Sequence, residues 1–179
     1  KKNKNLNFLL EERFLWMKKY IKNNKSIIEL GSGNGASKTI LKNKNILLTD
    51  IQKYPWISKK VDMNKLNLEK KYKNKVNIFI LNQSLHHCAN PSKLLKKISF
   101  FLKKDGFILI RESEISFFLK FFLIILDDEA FSLKVDIFNY KKNIFNPNNV
   151  YDANNATPNL LFKVEEKFHK NFPQYKIVY

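Results

Sequence analysis

Cysteine occurs once in the 179 residues, at Cys88, so no internal disulfide and no multi-thiolate zinc or iron–sulfur centre can be built. That fits a reducing compartment, and a cytoplasmic setting is expected. Arginine is nearly missing as well: of 33 basic residues only Arg13 and Arg111 are arginines. Glycine is held to four residues and proline to five, which excludes collagen-like and low-complexity chains. The longest apolar run, Ile115 to Leu126, is interrupted by Lys120 and is far shorter than the roughly 20 residues of a membrane span. No transmembrane segment is expected.

What is present is enough apolar material for one sizeable core: 44% hydrophobic and 14% aromatic residues, hence a single domain over residues 1–179. Against the 33 cations stand 16 anions, a net charge of +17, with +13 carried by residues 1–80 and +4 by residues 81–179. The lysines sit beside asparagines (Lys22-Asn23-Asn24-Lys25, Lys42-Asn43-Lys44-Asn45), and the arginines that read phosphates and guanine edges are almost absent. This reads as the lysine and asparagine drift of an AT-rich genome, and a nucleic-acid partner is disfavoured. The chain starts at Lys1 rather than Met and stops after the strand-like Tyr175 to Tyr179, the pattern of a fragment.

Apolar periodicity lays out the elements. Leu6, Leu10, Phe14, Met17 and Ile21 recur at helical spacing and predict an N-terminal helix within residues 1–24. Ser26 to Leu30 reads as a buried strand, followed at once by Gly31-Ser32-Gly33-Asn34-Gly35 and a helix from Ala36 to Lys42. Ile46 to Asp50 is a second strand, Ile57 to Val61 a weaker third, and Val76 to Leu81 a fourth, apolar enough to be covered on both faces. Asn90-Pro91 signals a helix start, Lys103 to Gly106 a turn, and Phe107 to Ile110 a fifth strand. Strands alternating with helices predict an α/β, Rossmann-like doubly wound sheet, mostly parallel, with helices on both faces. Residues 114–159 break the alternation; a helix from Leu160 to His169 and a strand from Tyr175 to Tyr179 close the sequence.

Three of the four glycines lie within five residues at the end of the first strand. Glycine there permits positive φ and close backbone approach, and in open α/β sheets ligands bind outside the carboxyl ends of the strands. Asp50 ends the second strand 19 residues after Gly31, near the interval at which an acid meets ribose hydroxyls in such folds. Gly31, Gly33 and Ala36 also satisfy a loose dinucleotide pattern, so spacing alone leaves a nicotinamide-dependent oxidoreductase open.

The run Glu29-Leu30-Gly31-Ser32-Gly33-Asn34-Gly35 resembles the first motif of class I S-adenosylmethionine-dependent methyltransferases: apolar strand, acid, apolar residue, then G-x-G-x-G. The segment Leu81-Asn82-Gln83-Ser84-Leu85-His86-His87-Cys88-Ala89-Asn90-Pro91 is similar to the post-strand segment of their small-molecule, methyltransferase type 11-like branch. The likeness covers residues 26–113, taken as the cofactor-binding core. It implies S-adenosylmethionine as cofactor, with Glu29, Gly31, Ser32, Gly33, Asn34 and Gly35 at its methionine part. It also implies Asp50 on the ribose, Ile51 on the adenine face, Asp62 and Met63 at the adenine edge, and Asn82 and Gln83 completing the site. Asn77 stands where the family often has an acid, and Asp105 where proline or glycine usually precedes Gly106. The resemblance also implies one more strand, commonly antiparallel at the sheet edge, beyond Tyr179.

His86-His87-Cys88 contains three metal-capable side chains, but neighbours in sequence point in different directions and no acid stands nearby, so no metal is expected. His87 or His86 is a candidate general base. The expected acceptor is a small or lipid-like molecule. The fourth-strand segment has no Asn/Asp-Pro-Pro-aromatic tetrad, which weighs against an RNA or DNA acceptor; a non-catalytic methyltransferase-like binding module is the remaining alternative. The apolar Ile115 to Leu126 run is expected to be a core or homodimer-interface helix, or a lid, within a variable region that sets acceptor choice with Tyr140 and Tyr151.

Overall fold

The computed structural model describes residues 4–116, 118, 121 and 130–179. Five strands form one parallel sheet: β1 (Ile27–Leu30), β2 (Ile46–Asp50), β3 (Lys59–Lys60), β4 (Val76–Asn82) and β5 (Leu102–Arg111), in the order β3-β2-β1-β4-β5. The chain starts at the centre, moves outward to β3, then crosses back to β4 and β5, so the order reverses beside β1. This is the doubly wound arrangement that the alternation predicts, and its switch point lies at the ends of β1 and β4.

Successive residues of the central strands serve opposite faces. Ile28, Leu30, Phe79 and Leu81 face Leu94, Leu95 and Ile98 of α4 (Pro91–Phe101), Leu161 of α5 (Thr157–Phe162) and Phe168 of α6 (Glu165–Asn171). Ile27, Ile46, Leu48, Ile78, Ile80 and Leu109 face Phe14 of α1 (Lys4–Leu15), Met17, and Ile21 of α2 (Lys18–Ile21). Phe79 is fully enclosed, and its burial contributes about 2–3 kcal/mol. α4 begins as the Asn90-Pro91 pair predicts: the Asn90 side chain accepts the Lys93 N–H at 2.9 Å, and Pro91 occupies the first turn.

Several boundaries depart from the sequence reading. The N-terminal helix breaks at Trp16–Met17 into α1 and α2, and the third strand shrinks to two residues. α3 spans Ala36–Ile40. Lys103 to Gly106 do turn, but inside β5: Val76 pairs with Leu102 and Ile78 with Phe107, so four residues stand opposite Asn77 alone and bulge from the ladder. Asp105 adopts φ +62° there, and a Cβ on Gly106 would lie 2.8 Å from the Asn77 carbonyl oxygen. The single helix expected over 160–169 is two, α5 and α6, which meet at Lys163–Val164. Tyr175 to Tyr179 form no strand; Tyr175 and Ile177 instead pack on the α4-side core, and Tyr175 Oη donates to the Leu95 carbonyl at 2.9 Å.

Most of the Ile115 to Leu126 run lies outside the described residues. Ile115 itself is buried and its N–H donates to Asn159 Oδ1 at 2.9 Å. Among the described residues no helix is long and apolar enough to cross a membrane.

Candidate functional site

The glycine loop leaves β1 at the switch point. Gly31 has φ +70°, and a Cβ on it would sit 2.7 Å from Ser84 Cβ, so the β1 and β4 ends touch only because no side chain intervenes. Ser84 Oγ donates to the Leu30 carbonyl at 2.9 Å and fixes that approach. Ser32 ties the loop to β2: its N–H donates to the Thr49 carbonyl at 2.9 Å, and its Oγ accepts the Thr49 N–H at 3.0 Å. Asn34 Oδ1 accepts the Ala36 N–H at 3.1 Å and starts α3. The indole N–H of Trp56 donates to the Gly33 carbonyl at 2.7 Å, and Tyr54 stacks on the same indole at 5.3 Å.

Asp50, almost fully buried, spends one contact of each carboxylate oxygen on the backbone: Oδ2 accepts the Gly33 N–H and Oδ1 the Gln52 N–H, both at 2.9 Å. Each oxygen keeps a second lone pair for another donor. Asp62 follows β3; its Oδ1 accepts the Asn64 N–H at 2.9 Å, and Lys65 Nζ lies 3.7 Å from its Oδ2. The Met63 methyl comes against Gly31, 3.2 Å from where a Cβ would stand.

Beyond β4, Gln83 takes φ +52° and donates its N–H to the Arg111 carbonyl at 2.7 Å. Two buried polar atoms here lack a protein partner, Asn82 Oδ1 and Gln83 Nε2. The one-turn 3-10 helix Leu85–His87 is held by Glu112, whose Oε1 accepts the Ser84 N–H at 2.8 Å and the Leu85 N–H at 2.6 Å. Glu112 Oε2 meets His86 Nδ1 at 2.5 Å. His87 Nδ1 lies 3.3 Å from the Asp152 carbonyl oxygen, which only accepts, so Nδ1 bears the proton and the lone pair of the neutral ring sits on Nε2.

One cleft of about 250 Å³ gathers Gly31, Gly33, Asp50, Ile51, Asp62, Met63, Gln83 and His87 from the ends of four strands. Val61, Asn64 and Ser84 join them, and Pro147, Asn149 and Val150 of the asparagine-rich loop form the opposing wall. The other sequence candidates lie outside this lining. Glu29, Ser32, Asn34, Gly35 and Asn82 do not line the cleft, and His86 turns to Glu112. Glu29 is buried under the loop, where its carboxylate accepts Ser37 Oγ–H, and burial pushes its pKa up to about 7. A larger hollow of about 550 Å³, between Ile115, residues 133–138 and residues 159–167, holds none of the candidates. Among the described residues no three His, Cys, Asp or Glu side chains converge as metal ligands.

Glu112 is the residue that sequence reading misses. Its one signal is position, an acid directly after the fifth strand; its partners lie 26 to 28 residues earlier, a distance no local pattern bridges.

A family model described as a methyltransferase domain matches residues 3–170. The chain belongs to that methyltransferase family. No curated protein matches the sequence. Among solved structures, a crystal structure of the trans-methyltransferase CalH in complex with SAH is similar, at 16% identity and a TM-score of 0.47. The match covers 67% of this chain, which spans 43% of that one.

The cleft has a chemistry of its own. Asp50 offers carboxylate lone pairs to a diol, Gln83 Nε2 is a buried donor awaiting an acceptor, and Gly31 admits a ligand to the backbone. Ile51, Val61 and Met63 supply the apolar surface that a purine ring requires.

Proposed function

We propose that this methyltransferase domain transfers the methyl group of S-adenosylmethionine to a small-molecule or lipid-like acceptor. The observation that carries the reading is convergence: eight candidate residues, scattered from Gly31 to His87, line one cleft at the switch point of the sheet. When bound, the cofactor would supply a methyl group on a sulfonium, whose carbon a nucleophile attacks in line as the bond to sulfur breaks and S-adenosylhomocysteine leaves.

The protein's part is largely positional. Asp50, already fixed by Gly33 and Gln52, accepts from the ribose hydroxyls. Ile51 would pack on the base, with Asp62 and Met63 at its edge, and the Gly31 to Gly33 backbone would lie against the methionine part. Glu29 and Ser32 act from beneath and Asn34 from the exposed side, setting the loop's shape. His87 faces the acceptor side, where Nε2 takes a proton from a hydroxyl or amine as its nucleophile forms. Pro147, Asn149 and Val150 close the acceptor wall. A small-molecule acceptor is favoured over nucleic acid because the lysine excess follows composition rather than the cleft, whose lining among the described residues contains no lysine or arginine. The lone buried thiol accords with a cytoplasmic setting.

Calorimetric titration with S-adenosylmethionine and S-adenosylhomocysteine tests the cofactor half. Saturable heat for both, weakened about tenfold or more in Asp50→Ala with an unchanged far-UV spectrum, is the expected result. No heat for either at millimolar concentration overturns it. Release of S-adenosylhomocysteine against pooled metabolites and lipids tests the acceptor half, and turnover with RNA alone would move the acceptor to nucleic acid.

A further inference from the structure

A four-residue turn beyond β2 reaches back to the glycine loop. Tyr54-Pro55-Trp56-Ile57 closes where the Ile57 N–H donates to the Tyr54 carbonyl at 3.0 Å, and Pro55, at the second position, supplies the fixed φ that such a turn uses. Further contacts hold the turn in place. The Lys53 ammonium donates to the Ile57 carbonyl at 2.6 Å, the Ser58 N–H donates to the Leu48 carbonyl of β2 at 2.9 Å, and the Ile57 side chain is buried in the cluster that contains Phe14 and Leu48. Trp56 stands at the third position, 48% exposed, with the Tyr54 ring stacked on it at 8° between planes. An indole this open can give its N–H to water. Here it donates to the Gly33 carbonyl at 2.7 Å, and the same ring covers Gly35, where a Cβ would come 2.8 Å from Trp56 Cδ1.

Gly33 depends on that bond because little else restrains it. The residue is exposed, has φ +49°, and a Cβ built on it meets nothing within 4 Å, so no packing on that side fixes it. Its neighbours are tied: the Ser32 N–H donates to the Thr49 carbonyl at 2.9 Å, and the Gly35 N–H to the Ser32 carbonyl at 2.8 Å. Those bonds leave the N–H and carbonyl of Gly33 untouched. Among the described residues two others hold them, Asp50 Oδ2 accepting the N–H at 2.9 Å and Trp56 donating to the carbonyl.

Asp50 lies at the other end of this chain of contacts. Its Oδ1 is set by the Gln52 N–H two residues on, and its Oδ2 by Gly33 from across the sheet, so the Gly33 N–H decides how the carboxylate plane is turned. Trp56 does not line the cleft and reaches it only through these two residues. We propose that Trp56 is a positioning residue for cofactor binding: by holding the Gly33 carbonyl it fixes the Gly33 N–H that orients the Asp50 carboxylate for the ribose hydroxyls. The proposal rests on the placing of S-adenosylmethionine in this cleft, with Asp50 on its ribose, made above.

The test is Trp56→Phe in the full chain, which keeps a ring against Tyr54 and Gly35 and deletes the N–H. Calorimetry with S-adenosylhomocysteine is expected to show binding weakened about fivefold, the effect of one hydrogen bond between neutral groups. The urea midpoint is expected to stay at the wild-type value, because the freed carbonyl is exposed and takes water instead. Amide hydrogen exchange supplies the reading that a general loss of structure would not give: the Gly33 N–H is expected to exchange about fivefold faster, with the Ile28 and Ile80 amides of the sheet unchanged. Tyr54→Ala, which keeps the indole and removes its stacking partner, is expected to fall between the two proteins in both measurements, and it decides the matter if Trp56→Phe folds poorly. Wild-type affinity in the variant, or weakened affinity with Gly33 exchange unchanged, overturns the proposal. So does weakened affinity accompanied by faster exchange at Ile28 and Ile80. If the wild type itself gives no heat with S-adenosylhomocysteine, the cofactor reading falls and this proposal with it; if the wild type binds and the variant binds equally, this proposal alone falls.

Discussion

The carboxylate of Glu112 and the imidazole of His86 meet at 2.5 Å in the interior, and the same carboxylate caps two backbone N–H groups of the turn that carries His87. One side chain thus anchors the end of β5 to the segment after β4. Removing it strands three buried donors, whereas an amide still accepts through its oxygen.

Glu112→Ala is therefore expected to destabilise the fold by about 2–4 kcal/mol and to weaken S-adenosylhomocysteine binding through displacement of Gln83 and Ser84. Glu112→Gln is expected to recover part of both. Chemical denaturation and calorimetry read the two effects, and an alanine variant with wild-type stability would refute the anchor.

Gly31 and Gly33 share positive φ but not surroundings. A methyl group at Gly31 meets Ser84 Cβ at 2.7 Å, while one at Gly33 meets nothing within 4 Å. Gly31→Ala is expected to cost about 2–4 kcal/mol and most of the cofactor affinity, since the β1 and β4 ends must separate. Gly33→Ala pays only for its backbone conformation, about 1 kcal/mol. Equal midpoints for the two variants in urea would contradict this account.

Glu29 makes stability depend on pH. Burial raises its carboxyl pKa from 4.5 to about 7, outweighing the Ser37 and Ser32 hydrogen bonds that lower it. The folded chain then retains a proton that the unfolded chain releases, so the stability tied to that proton is full below about 4.5 and is lost as pH rises to about 7. The amount is on the order of 3 kcal/mol. Glu29→Gln, which mimics the neutral acid, is expected to gain on the wild type steadily between pH 5 and pH 8, about these values by linkage. Parallel pH profiles for the two proteins would show that Glu29 does not titrate in this range.

Cys88 is completely buried, and its thiol pKa is pushed up to about 12 by desolvation. The thiol is therefore inert in the fold, and a disulfide-exchange reagent is expected to label it only at the rate of unfolding. Labelling without denaturant as fast as that of a free thiol would count against the burial.

How far the sequence reaches depends on how local each signal is. The glycine loop, Asp50 and the Asn90-Pro91 helix start are legible because turn, strand end and cap are each written in a few adjacent residues. The division of Phe79 and Ile80 between two faces follows from the two-residue strand period. The bulge in β5 is not legible: Lys103 to Gly106 carry turn residues, and only the pairing with Val76 and Ile78 draws them into a strand. Tyr175 to Tyr179 show the strand alternation, yet Tyr175 and Ile177 are satisfied by packing on α4-side core residues rather than by a ladder, and Val178 and Tyr179 stay exposed. Within the site, the residues that line the cleft and those that do not look alike in sequence, as Glu29 and Asp50 show; both are buried, and only Asp50 borders the cleft.

Trp56 and Trp16 are the only tryptophans, and each is hydrogen-bonded in a different region, Trp56 to the Gly33 carbonyl of the glycine loop and Trp16 to the Arg13 carbonyl of α1. The protein thus carries two intrinsic fluorophores with separate assignments. Emission that survives in Trp16→Phe reports on the glycine loop, and emission that survives in Trp56→Phe reports on the N-terminal helices, so occupancy of the cleft can be followed optically without a label, against an internal reference.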